Sequence, residues 1–348
     1  MGSVKDLRII EKPEKNKTGT GEFIFSDRYS VFDWGEMPDH FAHKGEALCI
    51  IGAYFFERLE EMGIMSHYIG VVEDDRAKRL DELEKASNTM RVRVLRVIKP
   101  EIRGDSYDYS PYKRERGNFL IPLEVIYRNS LPAGSSVFKR LREGSLKLED
   151  IGLPEMPSPG QKLPKPILDV STKLEITDRY IPWSEAQTMA GLSEDEVERM
   201  QHLTATVNDF ITTQAKRAGL VNEDGKFEFG FDEHRNIMLV DVLGTPDECR
   251  FTREGIPVSK EVARIYYRTT EWYERVQEAK KRDRMKWKTL VDIPPPPLPP
   301  RLSELVSLLY QACCNELTER EWFAAPPLGE ILSEVKEILE LSGKQQQL

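Results

Sequence analysis

The chain has 348 residues, 39% of them hydrophobic, four cysteines and a formal net charge of −9, which is enough apolar material for a packed core and a length suggesting about two domains. An acidic chain of this kind lacks the basic face that a nucleic-acid binder needs. No apolar run is long enough to span a bilayer, no signal-peptide pattern opens the chain, and the cysteines form no framework or metal spacing, so the expected setting is a soluble, cytoplasmic protein with reduced thiols.

In chain order, Lys12, Lys15, Lys17, Gly19 and Gly21 give a charged arm that reads as a flexible terminus. Strand-like runs at residues 22–26, 67–72 and 91–98 surround an amphipathic helix at about 45–62, predicting a small, mostly antiparallel lobe over 1–119, with 105–116 as a polar loop. His40 and His43 share an i, i+3 spacing but have no third ligand nearby, so they read as ordinary residues rather than a zinc site. A larger α+β lobe is predicted over 120–290. Its first strand stops at Arg128 and Asn129, and helices follow near 183–190, 194–219 and 260–281, the middle one closed by a glycine at C′. The basic run 280–288, with Met285 and Trp287, sits at a helix end, where cations suit the macrodipole. Residues 294–300 (PPPPLPP) lie in a linker over 291–300 and must be extended polyproline II, either a stiff spacer or a ligand for another domain. The tail, 301–348, carries the stripes Leu302/Leu305/Val306/Leu309 and Ile331/Val335/Ile338/Leu339, two amphipathic helices that need a surface on the body or across a homodimer.

The chemistry concentrates in residues 224–250, DGKFEFGFDEHRNIMLVDVLGTPDECR. Lys226 and Glu228 alternate with phenylalanines, the apolar run from Ile237 returns, and DEHRN supplies a hairpin turn. A hairpin symmetric about that turn sets Glu228 nearly opposite Asp241, two carboxylates beside a lysine. Like charges facing across strands need a cation between them, and Mg²⁺ takes one or two carboxylates plus substrate phosphates; the alternative is a half-buried hairpin whose acids face water. Residues 122–139, PLEVIYRNSLPAGSSVFK, open from a strand into a small-residue loop where Gly134, Ser135, Ser136 and Arg128 could hold an anion, or form an ordinary turn.

Four ordered motifs resemble the SAICAR synthetase (phosphoribosylaminoimidazole-succinocarboxamide synthase) family: SDRYSVFD at 26–33, YRNSLPAGS at 127–135, PILDVSTK at 166–173 followed by Asp178, and DGKFEFG with LVDVLGTPDECR, together covering roughly 26–268. The resemblance implies a bilobal, SAICAR-synthetase-like or ATP-grasp-like α+β fold. It also implies an ATP-dependent ligase of purine biosynthesis that joins L-aspartate to carboxyaminoimidazole ribonucleotide (CAIR), with Mg²⁺ as cofactor and ATP as co-substrate. Carried over by residue, Glu228 and Asp241 hold the metal and phosphates, Lys226 meets the transferring phosphate and Asp224 orients the reacting group. Arg128, Ser135 and Arg250 grip the ribonucleotide, and Lys173 and Asp178 lie near the imidazole carboxylate or the aspartate. Asp33 and Lys44 are further substrate candidates, Leu120 and Ile121 resemble the connector at the adenine, and Lys17 is the candidate phosphate-facing lysine. The chain departs from the pattern where Val242 follows Asp241 in place of a glutamate, where Thr177 precedes Asp178 in place of a histidine, and in its N-terminal Gly/Lys spacing. A kinase of related architecture and a nucleotide-binding interaction module are the alternatives.

Overall fold

Alternation of apolar and polar residues lays down two antiparallel sheets in the computed structural model of the protein, which describes residues 5–104, 106–283 and 286–345. The first sheet has the order β1 (Lys5–Glu11), β2 (Gly19–Phe25), β5 (Thr89–Val94), β3 (Tyr68–Glu73), β4 (Arg76–Lys78). Helix α1 (Lys44–Glu61) packs against it with Ile50, Ile51, Phe55, Phe56 and Leu59 fully buried. A small hairpin, β6 (Glu101–Arg103) and β7 (Ser106–Asp108), stands apart.

The second sheet runs β10 (Tyr180–Ile181), β9 (Gln161–Thr172), β8 (Phe119–Leu131), β11 (Val221–Phe231), β13 (Cys249–Arg253), β14 (Ile256–Pro257), with β12 (Ile237–Val240) also paired to β11. Between these strands come α2 (Ser136–Arg142), α3 (Trp183–Ala190) and α4 (Glu194–Arg217), the last packed on β11 and β8; α5 (Glu261–Tyr267), α6 (Glu271–Arg282), α7 (Pro300–Thr318) and α8 (Leu328–Gln345) close the chain. Backbone hydrogen bonds join the sheets at two points: the Leu239 carbonyl accepts from His67, and Leu120 donates to the Arg96 carbonyl, each at 2.9 Å. The concave space between the sheets is where the chemistry collects.

Several elements differ from the sequence reading for identifiable reasons. The charged arm is a hairpin, β1 and β2, held by Asn118, whose side-chain amide donates to the carbonyls of Glu14 and Lys17. Strand β8 does not stop at Arg128 and Asn129 but continues to Leu131, because the Asn129 amide bonds to Asn208 (2.9 Å) and to the Asn222 carbonyl (3.0 Å) inside the fold. The predicted helix over 260–281 is broken: Thr269 and Thr270 return their hydroxyls to the carbonyls of Tyr266 and Tyr267 (2.7 Å each), and Thr270 caps α6. The polar loop over 105–116 contains β7 and a 3-10 turn at Ser110–Arg114. Within the basic run, Arg284 and Met285 lie outside the described residues.

The proline segment is packed. Leu298 is buried and donates its N–H to Asp39 (2.8 Å), and Tyr267 donates to the Pro296 carbonyl (2.9 Å). Leu302, Leu305, Val306 and Leu309 are all buried, α7 lies on α1 and α8 on α7, so the tail folds back on its own chain. No helix among the described residues is long and apolar enough to cross a membrane.

Candidate active site between the two sheets

Strand β11 buries Phe227, Phe229 and Phe231 on one face and turns Lys226 and Glu228 to the other, as period-2 geometry requires. The register corrects the expected pairing. Glu228 opposes Val240 on β12 and Glu124 on β8, while Asp241 follows the strand with a left-handed φ of 65°. His67 props that turn from the neighbouring sheet: its Nε2 donates to the Asp241 carbonyl at 2.9 Å, which fixes a ring that burial keeps neutral, its pKa pushed down to about 4.

The like-charge conflict therefore falls on Glu124 and Glu228, and Lys173 resolves it. Its ammonium lies 3.2 Å from Glu124 and also bonds Glu228. The row continues outward on both sides. Lys226 reaches Glu124 at 3.0 Å and Glu248 at 3.5 Å, and Lys5, on β1, meets Asp241 at 2.7 Å. Burial opposes charge on Lys173 and Lys226, but the surrounding carboxylates outweigh it and hold both ammoniums well above the ordinary lysine range. Of the acidic pair, Asp241 is kept charged by Lys5 against its burial, whereas burial and repulsion from Asp241 push Glu228 upward despite Lys173 and Lys226. Among the described residues no group of three or more His, Cys, Asp or Glu could hold a metal. Glu228 and Asp241 fit Mg²⁺ in their donor chemistry: one buried and one partly exposed carboxylate, close enough to repel each other, suit a hard divalent cation completed by phosphate oxygens.

A cavity opens on each side of this row. The smaller, about 220 Å³, is apolar: Leu7, Phe23, Val92 and Val94 from the first sheet face Leu120 and Val240 from the second, with Lys173, Glu228 and Asp241 at its base. The larger, about 810 Å³, is polar, and Asp178, Lys226, Arg250, Lys260, Arg264 and Arg268 lie in its wall. Asp178 is surface-accessible, yet partial desolvation and repulsion from Glu124 lift its carboxyl to about 6.

Most of the predicted site residues meet here. Arg128, Asp178, Asp224, Lys226 and Arg250 line the large cavity, as does Asp33, which is highly exposed at its mouth and bonded to Lys280 at 3.0 Å. Leu120, Lys173, Glu228 and Asp241 line the small one. Arg128 is 1% exposed and already engaged by Asp169 (3.0 Å) and Asp224 (3.4 Å). Arg250, 39% exposed, bonds Asp224 at 2.9 Å from the open side. Ser135 caps α2 beneath Arg128. Ile121 is core, Lys44 is completely buried against Asp247 (3.1 Å), and Lys17 is exposed beside Glu11, lining neither cavity. Sequence reasoning missed Lys5, Glu124, Glu248 and Tyr180, whose hydroxyl meets Arg128 and Ser136. A glutamate in the otherwise apolar FLIPLEVIY was a visible signal for Glu124; nothing local marks Lys5, which arrives from the first strand.

Known proteins match the chain over most of its length. The sequence model of the SAICAR synthetase family matches residues 4–280, extending beyond the 26–268 spanned by the motifs to include β1 and Lys5. An Archaeoglobus fulgidus relative named for phosphoribosylaminoimidazole-succinocarboxamide synthase is 52% identical over 340 residues, 98% of this chain and all of the relative. The Thermoplasma acidophilum enzyme of that name is 33% identical over 307 residues, 86% of this chain and 93% of its own. A solved SAICAR synthetase in complex with ADP superposes with a TM-score of 0.55 at 25% identity, covering 79% of this chain and 92% of that one. The Saccharomyces cerevisiae SAICAR synthase structure has the same fold, with a TM-score of 0.61 at 23% identity over 92% of this chain and 94% of that one. On this sequence match, the chain belongs to the SAICAR synthetase family.

Proposed function

We propose that the chain joins L-aspartate to the carboxylate of CAIR in an ATP-dependent ligation of purine biosynthesis, giving SAICAR, ADP and phosphate. The observation that carries this reading is the row of lysines and carboxylates standing between an apolar pocket and a polar one lined by charges of both signs. The apolar pocket suits a purine base, with Leu120 at the connector, and its base of Lys173, Glu228 and Asp241 suits the phosphates. The larger cavity suits a ribonucleotide and a dicarboxylic amino acid, both anionic. On this reading residues up to 119 form the nucleotide-covering lobe of a bilobal, ATP-grasp-like clamp, 120–290 the catalytic lobe, 291–300 the connecting strap and 301–348 a helical extension. The free, buried cysteines accord with a cytoplasmic enzyme.

A carboxylate is a poor acyl donor because its leaving group would be oxide. Transfer of the γ-phosphoryl group from ATP to a CAIR carboxylate oxygen releases ADP and makes a mixed anhydride; the aspartate amine then forms the C–N bond as the C–O bond to phosphate breaks. Phosphoryl transfer asks for positioning and charge neutralisation rather than a protein nucleophile. Lys226 and Lys173 supply fixed positive charge along the path between the pockets, and Lys5, bonded to Asp241 at the base of the nucleotide pocket, takes the role expected for Lys17. Glu228 and Asp241 would hold Mg²⁺, whose chemistry there would be to neutralise phosphate charge. Asp178, whose carboxyl desolvation lifts to about 6, lines the cavity and would take the proton that the aspartate amine loses as the C–N bond forms. Asp224, clamped by Arg128 and Arg250, sets the position of Arg250 rather than moving a proton.

The test is ADP release with CAIR, with and without L-aspartate, coupled to mass analysis of the product. SAICAR formed only with all three substrates is the expected result. A phosphorylated alcohol made without aspartate would establish a kinase, and no phosphate release under any mixture a binding module.

A further inference from the structure

The helical extension lies outside the residues matched by the family model, yet one of its side chains reaches the wall of the large cavity. Tyr310, on α7, is fully buried, and its hydroxyl donates to Asp247 Oδ1 at 2.7 Å while accepting the backbone N–H of Lys260 at 2.9 Å. Asp247 and Lys260 both line the cavity, and they are themselves joined, the Lys260 ammonium lying 3.4 Å from Asp247 Oδ2. The other cation on that oxygen is the buried Lys44, 3.1 Å away and over the Tyr310 ring. One phenol thus ties the loop before β13 to the start of α5. The next residue in that loop, Glu248, bonds Lys226 in the central row.

We propose that Tyr310 is a positioning residue for the substrate cavity, acting through Asp247 to set where the Lys260 ammonium meets an anionic group of CAIR or L-aspartate. The inference rests on the function proposed above. Without the phenol hydroxyl, Asp247 Oδ1 loses its donor and the Lys260 N–H its acceptor, at the edge of a fully buried ring. Lys260 would then be drawn toward Asp247 on a loop no longer pinned. The small nucleotide pocket shares none of these residues and should not register the change.

The experiment is steady-state kinetics of Tyr310→Phe with each substrate varied in turn, alongside thermal unfolding. The ring and its packing survive this substitution. The KM for CAIR or for L-aspartate is expected to rise about tenfold while the KM for ATP stays within about twofold. Lys260→Gln should raise the same KM, and the double variant should be no worse than the more impaired single variant, since both act on one contact. Leu305→Ala, a buried α7 residue without a polar contact to the cavity, should lower the unfolding temperature without changing the ratio of KM values. Unchanged KM values in Tyr310→Phe, independent additive effects in the double variant, or the same selective defect in Leu305→Ala would overturn the proposal. If Tyr310→Phe does not fold, an unchanged KM for both cavity substrates in Lys260→Gln overturns it alone. A wild-type chain that makes no SAICAR removes the functional reading instead.

Discussion

Asp241 and Arg128 look alike in sequence, each a charged residue in a recognisable motif, but their surroundings demand different consequences on substitution. Asp241 lies at the base of the apolar pocket, bonded to Lys5, so Asp241→Asn removes the neutralising partner of a largely buried lysine as well as a carboxylate oxygen of the proposed metal site. Its turnover should fall by about a hundredfold or more with a raised magnesium requirement, measurable by magnesium titration of the initial rate. Arg128, reached in sequence as a ribonucleotide ligand, is held by Asp169 and Asp224 out of solvent. Arg128→Ala takes one of two arginines from each carboxylate, leaving Arg140 on Asp169 and Arg250 on Asp224, and should cost about 1.5–3 kcal/mol of stability, read by chemical denaturation. Arg250→Ala, at the open side of the same network, should instead raise the KM for CAIR about tenfold to a hundredfold with the protein still folded. Asp178 gives the pH dependence. Its carboxyl titrates near 6, and only the deprotonated form accepts a proton, so the rate should fall as pH drops through about 6. That acid limb should disappear, at a lower plateau rate, in Asp178→Asn. The residue types and motifs were legible in sequence; which arginine faces solvent was not, because that depends on Asp169, which pairs across β8 and β9.

At the level of elements, β11 shows how much a motif can contain without revealing its reason. Phe227, Phe229 and Phe231 announce a strand with one buried face, and the DEHRN turn forms as read, with Asp232 accepting the N–H groups of His234 and Asn236. The glycine in DGK has a different explanation. A Cβ at Gly225 would lie 2.4 Å from the Tyr127 hydroxyl, which bonds Asn222 and Cys249, so the strand can approach β8 here only without a side chain. Gly225→Ala should lower stability by about 1–3 kcal/mol and, by moving Asp224 and Lys226 on either side, reduce turnover beyond what unfolding accounts for; denaturation and kinetics on one preparation would separate the two. The pairing of Glu228 with Val240 rather than Asp241 follows from the five-residue Asp232–Asn236 loop, across which Phe231 opposes Ile237; Asp241 lies just past the paired strand, in a left-handed conformation that no alternation pattern encodes. Likewise β1 was invisible as a strand because its partner is β2 and its value lies in Lys5, a long-range contact.

For the whole molecule, the proline segment and the two apolar stripes were readable as elements but not as structural necessities. The stripe at Leu302, Leu305, Val306 and Leu309 lies wholly buried, and α7 adds Tyr310, Cys313, Cys314 and Leu317 to the same core, against α1. Arg320 extends the tie, its guanidinium donating to the carbonyls of Leu80 (2.6 Å) and Leu83 (2.7 Å) at the 3-10 turn between β4 and β5. A buried Leu or Val contributes about 1.5–3 kcal/mol. The loss of five such residues would therefore rival the entire stability of an ordinary domain, about 5–15 kcal/mol. A chain ending at Pro299 should consequently fail to give a monodisperse, cooperatively unfolding protein, because α1 would expose an apolar face that also forms one wall of the first sheet's core. Size-exclusion chromatography and calorimetry of the truncated and full chains make the comparison. A truncated chain that unfolds cooperatively at the full-length temperature would show that the strap is a spacer and that the core closes without α7.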